Sequence, residues 1–266
     1  MPDAGTAQQR TVRVEPVMGT MVTVDVRDPH PPGTAVEAAI ETAIAWFHEV
    51  DATFSTYRDG SEISRLGRGE LQESECSPEV REVLGLCAEV ERGSGGCFDI
   101  HREGRLDPSG LVKGWSVQRA AEMLRAAGAR SFFIGAGGDI VTRGEAGPGQ
   151  RWRVGIRHPD IADQVAAVLK VRDLAVATSG AYERGEHIVD PRTGGAAAGL
   201  LSITVVGPSL TYADAFATAA FVMGEQGLIW VAGMDGYEAL AITGDRRTMW
   251  TPGMDALLVR DIAPAM

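Results

Sequence analysis

An α+β fold with largely antiparallel sheets and packed helices is predicted by three features of this 266-residue sequence. Strand-type and helix-type stretches are mixed without a regular βαβ rhythm, which argues against a doubly wound parallel sheet. The first apolar stretch alternates with period two, as a strand pair does. Others recur at three- and four-residue spacing, as helices packed on a core do.

Val12, Val14, Val22, Val24 and Val26 alternate around Met18-Gly19-Thr20 and predict a strand pair over residues 11–26 with a break at the glycine. After the Pro29–Gly33 turn, Val36, Ala39, Ile40, Ala43, Ile44 and Phe47 predict a helix of about four turns. A second helix is predicted over Pro78–Arg92, with proline in its first turn and Gly93 as its stop. A third is predicted from about Trp115 to Ala127, where Val117, Ala120, Ala121 and Leu124 share a face and Gly128 ends it. Strands are expected at Ser131–Ile134, Trp152–Arg157, Val165–Val171, Leu174–Ala177 and Leu201–Val206. A helix at Thr211–Met223 ends at Gly224, and strands with turns fill Tyr237–Val259. No repeat or low-complexity linker interrupts the pattern. Residues 1–10 read as a polar tail and 11–266 as one domain.

Composition narrows the function. Apolar residues make up 44% and charged residues 23%, as in ordinary globular proteins. The 25 lysines and arginines are outnumbered by 36 acids, a net charge of -11 that repels a phosphate backbone and gives no electrostatic footprint for nucleic acid. A nucleotide ligand would have to be held locally, by backbone amides, a few cations or a metal. The first ten residues lack a secretory signal and no apolar run is long enough to span a bilayer. As given, the chain reads as cytoplasmic, or as exported if a leader has been trimmed away. Cys76, Cys87 and Cys97 lack metal-type spacing and read as reduced thiols.

Four segments carry chemical potential. Asp107-Pro108-Ser109-Gly110-Leu111-Val112-Lys113-Gly114 leads into the third helix, where free amides, the helix dipole and Lys113 could hold a phosphate. The same residues also suit a loop in which Asp107 caps the helix and Lys113 is solvated. Gly135-Ala136-Gly137-Gly138-Asp139 permits close ligand approach or is simply a turn, and its spacing is not a dinucleotide fingerprint. Thr178-Ser179-Gly180 and His187-Ile188-Val189-Asp190-Pro191 crowd hydroxyls, a histidine and an aspartate together, and His187 is either a proton-transfer group or a structurally satisfied side chain. Ser179 lacks a serine-hydrolase context. Asp214 and Thr218 lie one helical turn apart, giving either two oxygen ligands for magnesium or a solvent-facing aspartate beside a self-bonded threonine.

Taken in order, Met18-Gly19-Thr20, Phe54-Ser55-Thr56-Tyr57-Arg58, Ser61-Glu62-Ile63-Ser64, Gly96-Cys97-Phe98-Asp99, the Asp107 loop, Gly137-Gly138-Asp139, Thr178-Ser179-Gly180, His187–Pro191 and Ala213-Asp214 resemble the FAD:protein FMN transferases, the ApbE-type flavin transferases. The resemblance implies a T-fold-like domain of two lobes around an FAD cleft. It implies magnesium-dependent cleavage of FAD, attachment of FMN by a phosphoester to a threonine or serine of a target flavoprotein, and release of AMP. Carried over, it puts Met18, Tyr57, Cys97, Phe98, Asp99, Asp107, Lys113 and Ile188 on FAD. The Gly110 carbonyl, Asp214 and Thr218 would then hold Mg2+, with His187 removing the acceptor's proton. The sequence departs from the family in a short Ile100–Leu106 segment, in Gly67 where asparagine is common, and in Ala217 where some members carry another metal-binding aspartate. The competing readings are an FAD pyrophosphatase yielding FMN and AMP, a non-catalytic FAD-binding protein, and a metal-binding scaffold without flavin.

Overall fold

The structure is a computed structural model that describes residues 10–28, 33–102, 104–161, 163–181, 190–195 and 197–259. In chain order its elements are β1 (Thr11–Val17), β2 (Thr20–Val26), α1 (Ala35–Phe54), α2 (Glu62–Gly67), α3 (Pro78–Ser94), β3 (His101–Arg102), β4 (Arg105–Leu106), α4 (Ser109–Ala126), β5 (Phe132–Ala136), β6 (Asp139–Arg143), β7 (Trp152–Arg157), β8 (Val165–Val171), β9 (Ala175–Gly180), β10 (Leu200–Gly207), α5 (Leu210–Met223), α6 (Gln226–Ala232), β11 (Glu238–Thr243) and β12 (Thr248–Trp250).

Eight strands form one antiparallel sheet in the order β1-β2-β5-β6-β9-β10-β11-β12, with β3–β4 and β7–β8 as separate hairpins. The expected α+β class with antiparallel sheets is therefore what the chain adopts. Period-two alternation sorts the central strands between two layers. Ala175, Ala177, Ile203, Val205, Ala239 and Ala241 join the core shared with α1, α4 and α5. Val176, Val206, Leu240 and Ile242 instead meet Trp152, Val154, Ile156, Leu169 and Val171 of the β7–β8 hairpin. Alanines dominate the helix side, and α5 contributes Ala213, Ala217 and Ala220 to the same core, so that helix seats closely on the sheet. Among the described residues no helix is long and apolar enough to cross a membrane.

Several expected boundaries move for identifiable reasons. The first helix runs on to Phe54 because Val50 and Phe54 continue its buried stripe. The second passes through Gly93 and stops at Gly95, whose φ of 63° is the left-handed conformation a helix end uses. The third begins at Ser109 rather than near Trp115, because Leu111 and Val112 already belong to its buried face. Gly110, Lys113 and Gly114 consequently lie on the helix, not in a loop before it. The Gly137-Gly138 segment is a hairpin turn between β5 and β6, with φ of 56° and 96° and Ala136 paired to Asp139. The short helices α2 and α6 and the strand β6 lack a long periodic signal and were not expected.

All three cysteines are free and buried, as reduced thiols should be. Burial, then the nearby Glu91, pushes the Cys87 thiol up to about 12 from 9.0. Burial likewise pushes the Tyr237 phenol up to about 12 from 10.0. A folded-state value above the unfolded one favours folding fully below about pH 9 and withdraws that support as pH climbs toward 12. For Cys87 alone the slope in that window is about 1.4 kcal/mol per pH unit. Urea unfolding should therefore show stability falling between pH 9 and 10.5, more shallowly in Cys87→Ala; an identical slope in the variant would assign the loss to other groups.

Candidate active site

The turn between β1 and β2, the end of α1, the segment after α3, the first turns of α4, the strand β9 and one face of α5 enclose a cavity of about 390 Å3. Met18 forms its turn with φ of 55°, a left-handed conformation uncommon for a residue with a side chain. Its sulfur lies 3.7 Å from Ser116 Oγ, whose hydroxyl donates to the Lys113 carbonyl at 2.8 Å. Opposite, Ser55, Thr56 and Tyr57 leave α1 and line the cavity, with Tyr57 91% exposed at the rim. The Ser61-Glu62-Ile63-Ser64 motif explains how that loop is held. Ser61 Oγ donates to the Ser55 carbonyl at 2.7 Å, Ser64 Oγ donates to the same carbonyl at 3.2 Å, and Ser61 caps α2 by accepting from Ser64 N at 3.1 Å.

Beyond α3, the Phe98 amide donates to Ser94 Oγ at 3.0 Å, and Phe98 lines the cavity from a buried position. Asp99 also lines it and accepts the His101 amide at 2.7 Å. Cys97 is buried and is not among the lining residues. The seven residues from Ile100 to Leu106 include the β3–β4 hairpin, and the Asp107 amide closes it onto the Ile100 carbonyl at 2.7 Å. Asp107 Oδ1 accepts from Ser109 N at 3.0 Å at the start of α4. Asp107 precedes the N-cap, Pro108, which has no side-chain cap bond, so Asp107 binds the first amide of α4 from outside the helix while standing on the cavity wall.

The chemistry concentrates where α4 crosses α5. Lys113 Nζ lies 2.7 Å from Asp139 Oδ2 and 3.9 Å from Asp214 Oδ1, so it is an ion-paired lysine rather than a merely solvated one. Asp214 is 4% exposed, which excludes the solvent-facing reading, and its Oδ2 accepts the Gly114 N–H at 2.9 Å. Thr218 lies one turn further along α5, with its hydroxyl 3.5 Å from Ser179 Oγ. A methyl added at Gly110 would come within 3.4 Å of Thr218 Oγ1 and 3.3 Å of the Phe98 ring. Gly110, Asp214 and Thr218 therefore share one corner, with Ser179 beside them.

Among the described residues that corner is rich in oxygen and poor in positive charge. Asp139 and Asp214 flank the Lys113 ammonium, while Asp51, Asp99, Asp107 and Asp214 line the wall and Asp51 is paired with Arg58. Among the described residues the lining side chains carry more negative than positive charge, which a pyrophosphate would meet unless a cation came with it. Hard oxygen donors of this kind suit magnesium, which takes few protein ligands and fills its sphere with water and substrate phosphate. Among the described residues no group of three acidic, histidine or cysteine side chains forms a protein-only metal cage. The donor set fits a cation shared with substrate.

Nine of the residues singled out in the sequence meet in this cavity: Met18, Tyr57, Phe98, Asp99, Asp107, Gly110, Lys113, Asp214 and Thr218. His187 and Ile188 lie outside the described residues. Sequence reasoning assigned no role to Ser55, Thr56, Thr178 or Asp139. Thr178 and Asp139 fall within motifs of the resemblance, but nothing local indicates that the aspartate after two glycines reaches a lysine on a distant helix.

A model of the ApbE family matches residues 18–104 and 100–241. The FAD:protein FMN transferase of Vibrio cholerae is 27% identical over 79% of this chain and 80% of its own length. Those of Treponema pallidum and Escherichia coli are 36% and 30% identical over 56% and 59% of this chain, which spans about half of each, 47% and 48%. Among solved structures, the flavin transferase ApbE from Vibrio cholerae superposes with a TM-score of 0.82 at 24% identity, over 94% of this chain and 99% of that one. The ApbE protein of Thermotoga maritima gives 0.84 at 21% identity, over 95% of this chain and 100% of that one. At these identities the structures establish a common fold.

Proposed function

The chain belongs to the ApbE family, and from that membership we propose that it is an FAD:protein FMN transferase that uses Mg2+. An acceptor threonine or serine oxygen attacks the FMN-side phosphorus of FAD, a new P–O ester bond forms, and the P–O bond to the bridging oxygen breaks. AMP departs with that oxygen, and the acceptor's proton passes to a base. The observation that carries this reading is the convergence of Lys113, Gly110, Asp214 and Thr218 on one corner of a cavity large enough to admit part of a dinucleotide.

The chain's residues divide the work. Lys113 can keep its ion pair with Asp139 and turn an N–H toward a pyrophosphate oxygen. The start of α4 adds partial positive charge on the same side. The Gly110 carbonyl, Asp214 and Thr218 Oγ1 are the groups that would hold Mg2+. When bound, that ion would neutralise charge developing on the phosphoryl oxygens and the departing AMP. Tyr57, exposed at the rim, offers a face for a flat ring system to stack on, and Phe98 closes the inner wall beside Gly110. His187 is assigned as the base, on the strength of the motif it belongs to.

Incubation with FAD, Mg2+ and a domain carrying a threonine flavinylation segment tests this directly, by intact mass of the acceptor and by released nucleotide. An FMN-sized gain with AMP release is expected, and His187→Ala should abolish the gain while leaving FAD binding within about twofold. FMN and AMP without modified acceptor would make the protein a pyrophosphatase, and intact FAD would make it a binding protein. Parental transfer by His187→Ala would remove that residue from the mechanism.

A further inference from the structure

Asp139 is fully buried at the start of β6, and nothing in the proposed reaction uses it. Its Oδ1 accepts the Thr178 N–H at 3.0 Å and its Oδ2 pairs with Lys113 Nζ at 2.7 Å. A carboxylate so far from water is retained only with partners, and removing the partner of a buried charge is strongly unfavourable. Lys113 is therefore committed to one side. Its ammonium is in ion-pair contact with Asp139 Oδ2 at 2.7 Å but stands 3.9 Å from Asp214 Oδ1, beyond hydrogen-bond reach.

That difference of 1.2 Å separates two positive charges that the reaction needs at once. An ammonium bonded to Asp214 would compete with a divalent cation for the same carboxylate and repel it at short range. We propose that Asp139 is a positioning residue that holds Lys113 away from Asp214, so that lysine and cation occupy different carboxylates; this rests on the assignment of Asp214 as a cation ligand. The β5–β6 turn thereby acts on a cavity that Asp139 itself does not line. Thr178, which does line it, is fixed by the same carboxylate.

The test compares the parent, Asp139→Asn, Lys113→Met and the double variant. Mn2+ binding is measured by electron paramagnetic resonance without FAD, melting temperature is recorded, and the parent and Asp139→Asn are crystallised. Asparagine is nearly isosteric and keeps an acceptor for Thr178 N, so the fold should survive. In Asp139→Asn, Lys113 Nζ should move to within about 3 Å of Asp214, and Mn2+ affinity should fall about tenfold, or about 1.4 kcal/mol. On the Lys113→Met background the same change should alter Mn2+ affinity less than about twofold. A merely structural role, or a simple loss of negative charge, would weaken binding equally on both backgrounds and would overturn the proposal. So would a variant whose Lys113 stays in place while the parent binds Mn2+. A parent that binds no Mn2+ would overturn the metal assignment itself, and with it the reason for the separation.

Discussion

Asp214→Ala should lower FMN transfer by about 10²–10³-fold, the cost typical of losing one preorganised electrostatic group at a reacting centre. The carboxylate is 4% exposed, set on the inward face of α5 one turn before Thr218, and anchored by the Gly114 N–H at 2.9 Å. Its removal takes away the sole carboxylate among the proposed cation ligands. It also removes one carboxylate near the Lys113 ammonium, at 3.9 Å, another being Asp139 at 2.7 Å. Asp214→Asn separates charge from geometry, because its amide oxygen can still accept from Gly114. Both variants are expected to need far more Mg2+ for half-maximal transfer, with the asparagine variant melting close to the parent. If Asp214→Asn transferred FMN at the parental rate and the parental Mg2+ requirement, the carboxylate would be structural and the cation would have to sit elsewhere.

The second large effect is expected at a residue with no functional group. Gly114 lies where α4 meets α5 backbone to backbone. A methyl group there would sit 2.7 Å from Asp214 Cβ and closer still to the Leu210 carbonyl oxygen. Neither obstacle is the loose end of a flexible side chain, so Gly114→Ala must push the helices apart. Overpacking of this kind costs about 1–3 kcal/mol and sometimes more, which in a chain of this size lowers the melting temperature by roughly 2–4 °C per kcal/mol. The displaced atoms carry Asp214, so transfer should fall more steeply than stability does, by about tenfold or more at a temperature where the variant is fully folded. Gly85→Ala is the matching control: Gly85 is also in a helix, but an added methyl meets nothing within 4 Å. That variant should gain about 0.5–1 kcal/mol from helix propensity and keep full activity. A Gly114→Ala protein with parental melting and activity would show that the helix crossing has slack.

Much of the scaffold was readable because its signals are local. The valine alternation around Met18-Gly19 marks the β1–β2 hairpin, and Gly224 stops α5 where expected. Helix ends were less legible. Gly93 looked like a stop, yet the chain continues to Gly95, since a glycine inside a helix costs only about 1 kcal/mol and packing offsets it. The start of α4 was misplaced by several residues, because Gly110 and Gly114 lower helix propensity just where contact with α5 demands small residues. Short elements such as α2 and β6 span too few residues for a period to declare itself.

For the site, residue order and type were enough to determine which segments matter, because each motif is a run of neighbouring residues whose chemistry is visible locally. They were also enough to put Asp214 and Thr218 on one helical face, since a four-residue spacing fixes their relative direction. What no local pattern contains is which segments share a carboxylate. That Lys113 belongs to Asp139 before Asp214, that the Gly114 amide anchors Asp214 across 100 residues of sequence, and that Ser179 stands beside Thr218 were decided only when helices and sheet packed. Ion pairs and hydrogen bonds act over a few ångströms in space, and distance along the chain says almost nothing about which groups come that close.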